Sequence, residues 1–151
     1  MKLLKNPLFH VLSPIILAIA VNSIVYLLKY NMNSKEYTKK YFFKLPPGYI
    51  IGLVWVTIFG ILGYAHYLLY KINNKLTIQC YILELFIIFA VLYPFITRFS
   101  EKTGAVLNYV SLLFSFIIAL AVMNVSLDIF WYTVPLLLWV SYVNLLPTVI
   151  L

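Results

Sequence analysis

The sequence predicts an all-α membrane protein, a bundle of five transmembrane helices forming one domain over residues 1–151. Three observations carry this. Of 151 residues, 64% are hydrophobic and 10% charged, against roughly 45–50% and about 25% in soluble domains. A water-soluble chain of this size has no means of hiding so much apolar surface. Windows free of Asp, Glu, Lys and Arg, or holding only Glu84, recur at 6–28, 45–70, 76–97, 103–127 and 129–151, each near the ~20 residues that cross a bilayer as a helix. Every window is dense in Leu, Ile and Val, and none shows the roughly ten-residue dyad repeat of a membrane barrel.

The spans are expected at about 8–29, 47–70, 76–97, 104–126 and 129–150. The first begins after Lys2 and Lys5 and contains an Ala-x-Ala at 18–20, a pattern shared with secretory signals. Its apolar stretch runs on to Leu28, long enough to cross a membrane, so a span is preferred over a leader. The second opens with Pro46 and Pro47. Proline is tolerated where the first helical N–H groups lack partners in any case, so this pair sets a stiff entry angle. The third carries Glu84 and Pro94, the fourth is charge-free, and the fifth holds Trp131, Pro135, Trp139, Tyr142 and Val143 on one expected face. With Cys80 as the single cysteine, no intramolecular disulfide forms. No internal repeat is visible, which argues against the inverted-repeat plan of many transporters.

The net charge is +7. Lys2, Lys5, Lys71 and Lys75 fall on one side of the bundle, whereas Lys29, Lys35, Lys39, Lys40, Lys44, Arg98 and Lys102 fall on the other. The positive-inside rule therefore places the first and third loops and the C-terminus in the cytoplasm, with the N-terminus outside or lumenal. The basic first loop suits anionic lipid. The lysines flank spans without forming a separate basic domain, so nucleic acid is not an expected partner.

Residues that carry chemistry are few. Gly48, Gly52, Trp55, Phe59, Gly63 and His66 recur at spacings of three and four and share one helix face. Small residues there admit a neighbouring helix, and the aromatics fill space or stack on something flat. Phe59 and Trp139 each lie roughly 18 Å in from the cytoplasmic side, and Trp55 roughly 12 Å. The two tryptophan faces are thus able to meet, with plain aromatic packing as the alternative. Glu84 is the one deep charge, roughly 20 Å from the same side. Such carboxylates are expensive in lipid and face the interior, as a proton relay, a ligand's hydrogen-bond partner, or a protonated carboxyl bonded to another helix. His10 reads as a polar boundary residue and His66 as a neutral hydrogen-bonded histidine. No His/Cys/carboxylate cluster has metal spacing, and no phosphate loop or nucleophile elbow occurs.

Taken together, "PPGYIIGLVWVTIFGILGYAHYLLY", "VPLLLWVSYVN" and Pro94 in "VLYPF" resemble the tryptophan-rich sensory protein family, also called the translocator protein or peripheral benzodiazepine receptor family. The resemblance implies a five-helix bundle, often dimeric, that binds flat apolar ligands such as porphyrins or sterols in a pocket opening to the cytosol under the first loop. By position it carries Pro46, Pro47, Gly52, Trp55 and Phe59 onto the second helix, Pro94 and Phe95 onto the third, and Pro135, Trp139 and Ser141 onto the fifth. Tyr37 falls within one residue of a loop aromatic of the family. Departures are Leu53 for the proline of Gly-Pro-Val-Trp, Phe89 and Leu92 for Asn and Trp, Leu136 for Tyr, and Pro147 for Asn. Tyr142 is followed by no Lys or Arg, so the sterol-recognition pattern is missing. Glu84 stands beside a common glutamine position and is suited to the polar role lost at Phe89.

The leading functional expectation is a membrane binding protein for a planar apolar ligand, acting as sensor, scavenger or carrier. In it Trp55 and Trp139 stack on the ring, Phe59 and Phe95 line the walls, Tyr37 closes the lid, and Pro46, Pro47, Gly52, Val143 and Glu84 complete the site. No cofactor is required, porphyrin or haem being a ligand; the bilayer and a second copy of the chain are the other partners. The alternatives are a proton-coupled transporter using Glu84, a porphyrin-degrading enzyme with a redox tryptophan, and a structural protein whose aromatic face is packing.

Overall fold

A computed structural model describes residues 3–27, 46–97 and 101–145. All regular structure among them is helical. After a short 3-10 turn at Leu3–Lys5, the helices are α1 (Pro7–Leu27), α2 (Gly48–Asn73), α3 (Ile78–Thr97), α4 (Glu101–Met123), α5 (Leu127–Phe130) and α6 (Val134–Leu145).

Local sequence explains the ends. Pro47 is extended at the mouth of α2 (φ −52°, ψ 146°), and its carbonyl accepts from the N–H groups of Ile50 and Ile51 at 2.9 and 3.2 Å. The proline pair thus starts the helix without a side-chain cap. At the other end α2 runs one turn past the expected boundary, to Asn73. Asn74 then stops it in the left-handed conformation (φ 52°), which asparagine tolerates better than most residues.

Among the described residues, four helices are long and apolar enough to cross a membrane, α1 to α4. The expected fifth span departs from a single helix. Ser126 caps α5, its Oγ accepting from the N–H of Ile129 at 3.4 Å. A turn then occupies residues 131–133 before α6 begins. Two features break the helix. Pro135 has no N–H to return to the preceding turn, and the Thr133 hydroxyl donates to the Phe130 carbonyl at 2.7 Å, closing that turn on itself. α6 has 12 described residues, about 18 Å of helix, and residues 146–151 lie outside the described ones. Trp131, in that turn, is 63% exposed.

Helix α1 packs along α2, α3 packs against α4, and α6 packs against α4. Phe86, Leu62, Leu69, Leu83, Ile118 and Leu136 are fully buried where these helices meet. Outward, Leu8, Ile16, Leu53, Leu85, Leu113 and Leu120 are all more than half exposed. That surface is stable in hydrocarbon, where helices satisfy their own backbone groups, and the chain is an integral membrane protein.

The approach of α1 to α2 is set by Gly63. A Cβ there would overlap the His10 carbonyl oxygen and stand 3.1 Å from the Cα of Val11, so only glycine lets α1 lie this near α2. Gly48 and Gly52 sit on the same face of α2, yet among the described residues a Cβ on either meets nothing within 4 Å.

Candidate functional site

Helix α2 presents two different environments. Toward its start it diverges from α6, with which it has little direct packing. The gap is an open groove of about 610 Å³ lined by Pro46, Leu53, Val54, Thr57, Ile58 and Ile61 on one wall and Pro135, Leu138, Trp139 and Tyr142 on the other. Its lining is almost entirely apolar, and its volume falls within the roughly 300–1,000 Å³ of small-molecule sites. The Trp139 and Tyr142 rings lie side by side, centroids 5.7 Å apart and 31° from parallel. The indole N–H of Trp139 is buried with no hydrogen-bond partner among the described residues, a costly state for a polar group.

The sequence-derived candidates divide among several places. Pro46 and Trp139 line this groove. Trp55 is half-buried against the core, its ring 5.5 Å from that of Phe59. Phe59 itself is 3% exposed and belongs to the core. The two tryptophans make no ring contact with each other; Trp55 pairs with Phe59 and Trp139 with Tyr142. Gly52 opens on a second groove of about 660 Å³ between α1 and α2, beside Asn22, Ser23 and Tyr49. Pro47 is exposed at the start of α2, and Phe95 on α3 and Val143 on α6 are half-buried. Tyr37 and the loop lysines Lys40 and Lys44 lie outside the described residues.

Glu84 is far from the groove, in a polar cluster at the other end of α2. His66 Nε2 stands 2.9 Å from Glu84 Oε1, close in distance without the alignment of a full hydrogen bond. His66 Nδ1 is 2.8 Å from His10 Nδ1, and His10 Nε2 is 2.9 Å from the Leu4 carbonyl. Three helices and the N-terminal turn are joined in one line. His10 therefore departs from its expected role as a boundary residue, being 4% exposed and central to the contact. A lone histidine near the start of an apolar run carries no sign of its partner. The available signal was Gly63 and His66 on one face, marking where another helix would arrive close enough to bond.

A smaller polar contact joins α3, α4 and α6 toward the opposite end. The Tyr93 hydroxyl donates to Asn108 Oδ1 at 2.7 Å, and Asn144 Nδ2 donates to the Asn108 carbonyl at 3.1 Å. Such bonds hold α6 to α4 while leaving its tryptophan side free for the groove. Among the described residues no group of His, Cys, Asp and Glu has the arrangement of a metal site.

A family model described as the TspO/MBR family matches residues 10–151. The match takes in nearly the whole chain, and the chain belongs to that family, the tryptophan-rich sensory proteins. Comparison with curated proteins and with solved structures returned no match.

Proposed function

We propose that this member of the TspO/MBR family binds a planar apolar molecule, a tetrapyrrole such as protoporphyrin or haem or a sterol-like ring system, in the groove between α2 and α6. The observation that carries this is the groove itself, an apolar cleft of about 610 Å³ with the Trp139 and Tyr142 rings on one wall. Aromatic faces suit an extended conjugated ring, and the almost wholly apolar lining suits a ligand with little polar surface. Family membership supports a membrane binding or transport role. Sensing, scavenging or carriage all fit a site that holds its ligand without a catalytic group.

The same reading includes a fifth membrane crossing that takes in α5 and α6, a cytoplasmic C-terminus with the N-terminus outside, and pairing with a second copy. The test is a titration of the detergent-purified protein with protoporphyrin IX, followed by tryptophan fluorescence. Saturable quenching that weakens several-fold in Trp139→Phe, and less in Trp55→Phe, is the expected result. Quenching indifferent to Trp139→Phe would remove the ligand from this groove.

A further inference from the structure

We propose that His10, His66 and Glu84 form a binding site for a single proton, entered at Glu84 and closed at the Leu4 carbonyl. The inference rests on counting hydrogens along three short contacts. His10 Nε2 faces a carbonyl oxygen at 2.9 Å, which accepts only, so this nitrogen carries a hydrogen. The two Nδ1 atoms, 2.8 Å apart, share one hydrogen between them. The Nε2 of His66 and the Oε1 of Glu84, 2.9 Å apart, need a third, which a turn of the half-exposed Glu84 carboxyl brings into line. Two neutral imidazoles bring two hydrogens and an ionised carboxylate brings none. One proton more than that reference state completes the line. Without it, two lone pairs face each other at one of the contacts, beside apolar surroundings where such a clash is poorly screened.

The extra proton has three equivalent resting places. On Glu84 it makes a carboxylic acid that donates to His66 Nε2. On His66 it makes an imidazolium that donates to His10 Nδ1 at one side and to the carboxylate at the other. On His10 it makes an imidazolium that donates to Leu4 and to His66 Nδ1, while His66 donates to Glu84. Each form keeps one hydrogen in every contact and a net charge of zero. They interconvert by shifting hydrogens along the line: a bond forms at Nε2 as one breaks at Oε1, then one forms at the His10 Nδ1 as one breaks at the His66 Nδ1.

Access is one-sided. The Glu84 side chain is 46% exposed on the outer surface of α3, whereas that of His66 is 7% exposed. Neutrality of the loaded site also accounts for a carboxylate at this depth, since an isolated charge in lipid is expensive and a paired or protonated one much less so. The site is built where α1 and α2 come closest, because Gly63 admits the His10 backbone. Other titratable groups on the surrounding elements are Lys5 on the N-terminal turn, Tyr64, Tyr67, Tyr70 and Lys71 on α2, Cys80 and Tyr81 on α3, and Asp128 on α5. Of these, Tyr67 and Tyr70 lie with tilted rings beside His10, centroids 5.7 and 6.1 Å away.

The experiment is nitrogen NMR of histidine-labelled full-length protein in detergent at neutral pH, with infrared spectroscopy of the carboxyl region, on wild type and Glu84→Gln. The wild type is expected to show either a doubly protonated histidine or a protonated Glu84. Glu84→Gln is expected to show two singly protonated histidines, because the carboxamide N–H completes the line without an added proton. Two neutral histidines beside an ionised Glu84 in the wild type would overturn the proposal, and so would an imidazolium that persists unchanged in Glu84→Gln. The wild-type measurement stands by itself if the variant folds poorly, and no porphyrin enters the test.

Discussion

The two ends of α2 use the same residue types for opposite ends. At Gly63 the small residue is consumed by a helix contact so close that a methyl group has no room, and the backbone approach brings two histidines and a glutamate into line. At Gly48 and Gly52 the small residues meet no other described residue closely, and grooves lie on either side of the helix. One end is closed and polar, the other open and apolar. A glycine in a transmembrane helix therefore does not of itself mark a packing face; what matters is whether a second backbone arrives.

The largest effect that distinguishes the ends is expected from Gly63→Ala. The new Cβ strikes backbone atoms, which cannot swing aside as a side chain would, so α1 must shift at a cost of about 1–3 kcal/mol. Thermal unfolding in detergent should show a clear fall in midpoint. An unchanged midpoint would mean that α1 and α2 are not held this closely. Next comes His66→Ala, which strands His10 Nδ1 and takes the partner from Glu84. A buried polar atom left unpaired costs about 1–3 kcal/mol, and the half-exposed carboxylate adds little because its surroundings screen it in detergent. Denaturant or thermal unfolding of the variant checks this, and adding Glu84→Leu to His66→Ala should move the midpoint little further, because the half-exposed carboxylate contributes little.

At the open end the effects on stability are small and those on binding large. Trp139→Phe should leave the unfolding midpoint within a degree or two of the wild type, since the indole N–H makes no bond, while weakening porphyrin binding several-fold. The smallest change is expected from Gly52→Ala. A Cβ meets no atom within 4 Å, and alanine favours helix over glycine by about 1 kcal/mol, so the midpoint should hold or rise slightly. A large loss there would show that the groove beside Gly52 is closed in the folded protein.

Much of the fold was legible because membrane helices announce themselves. An unbroken apolar window has few alternatives in lipid, and α1 to α4 fall near their expected places. The fifth segment departs from one continuous helix for a local reason. Hydropathy registers Trp131, Tyr132 and Thr133 as apolar enough to continue, but it does not register that Pro135 withholds a backbone donor or that Thr133 bonds back to Phe130. Faces were legible and partners were not. The spacing of Trp55, Phe59 and Gly63 correctly put them on one side of α2, yet Phe59 turns out to be core, Trp55 leans on it, and only Gly63 touches another helix closely. Trp139 and Pro46 converge on a groove that no local pattern encodes, because it arises where two helices fail to meet. His10 was invisible for the converse reason, its partner lying on a helix whose approach is set by a glycine far along the chain.

The most direct test of the account is photo-cross-linking of a light-activated protoporphyrin analogue to the purified protein, followed by peptide mapping. Adducts concentrated on Leu138, Trp139 and Tyr142 of α6 and on the facing stretch of α2 are the predicted result. Adducts on Asn22, Ser23 and Tyr49 instead would put the ligand between α1 and α2 and contradict the assignment of the open, tryptophan-lined groove as the binding site.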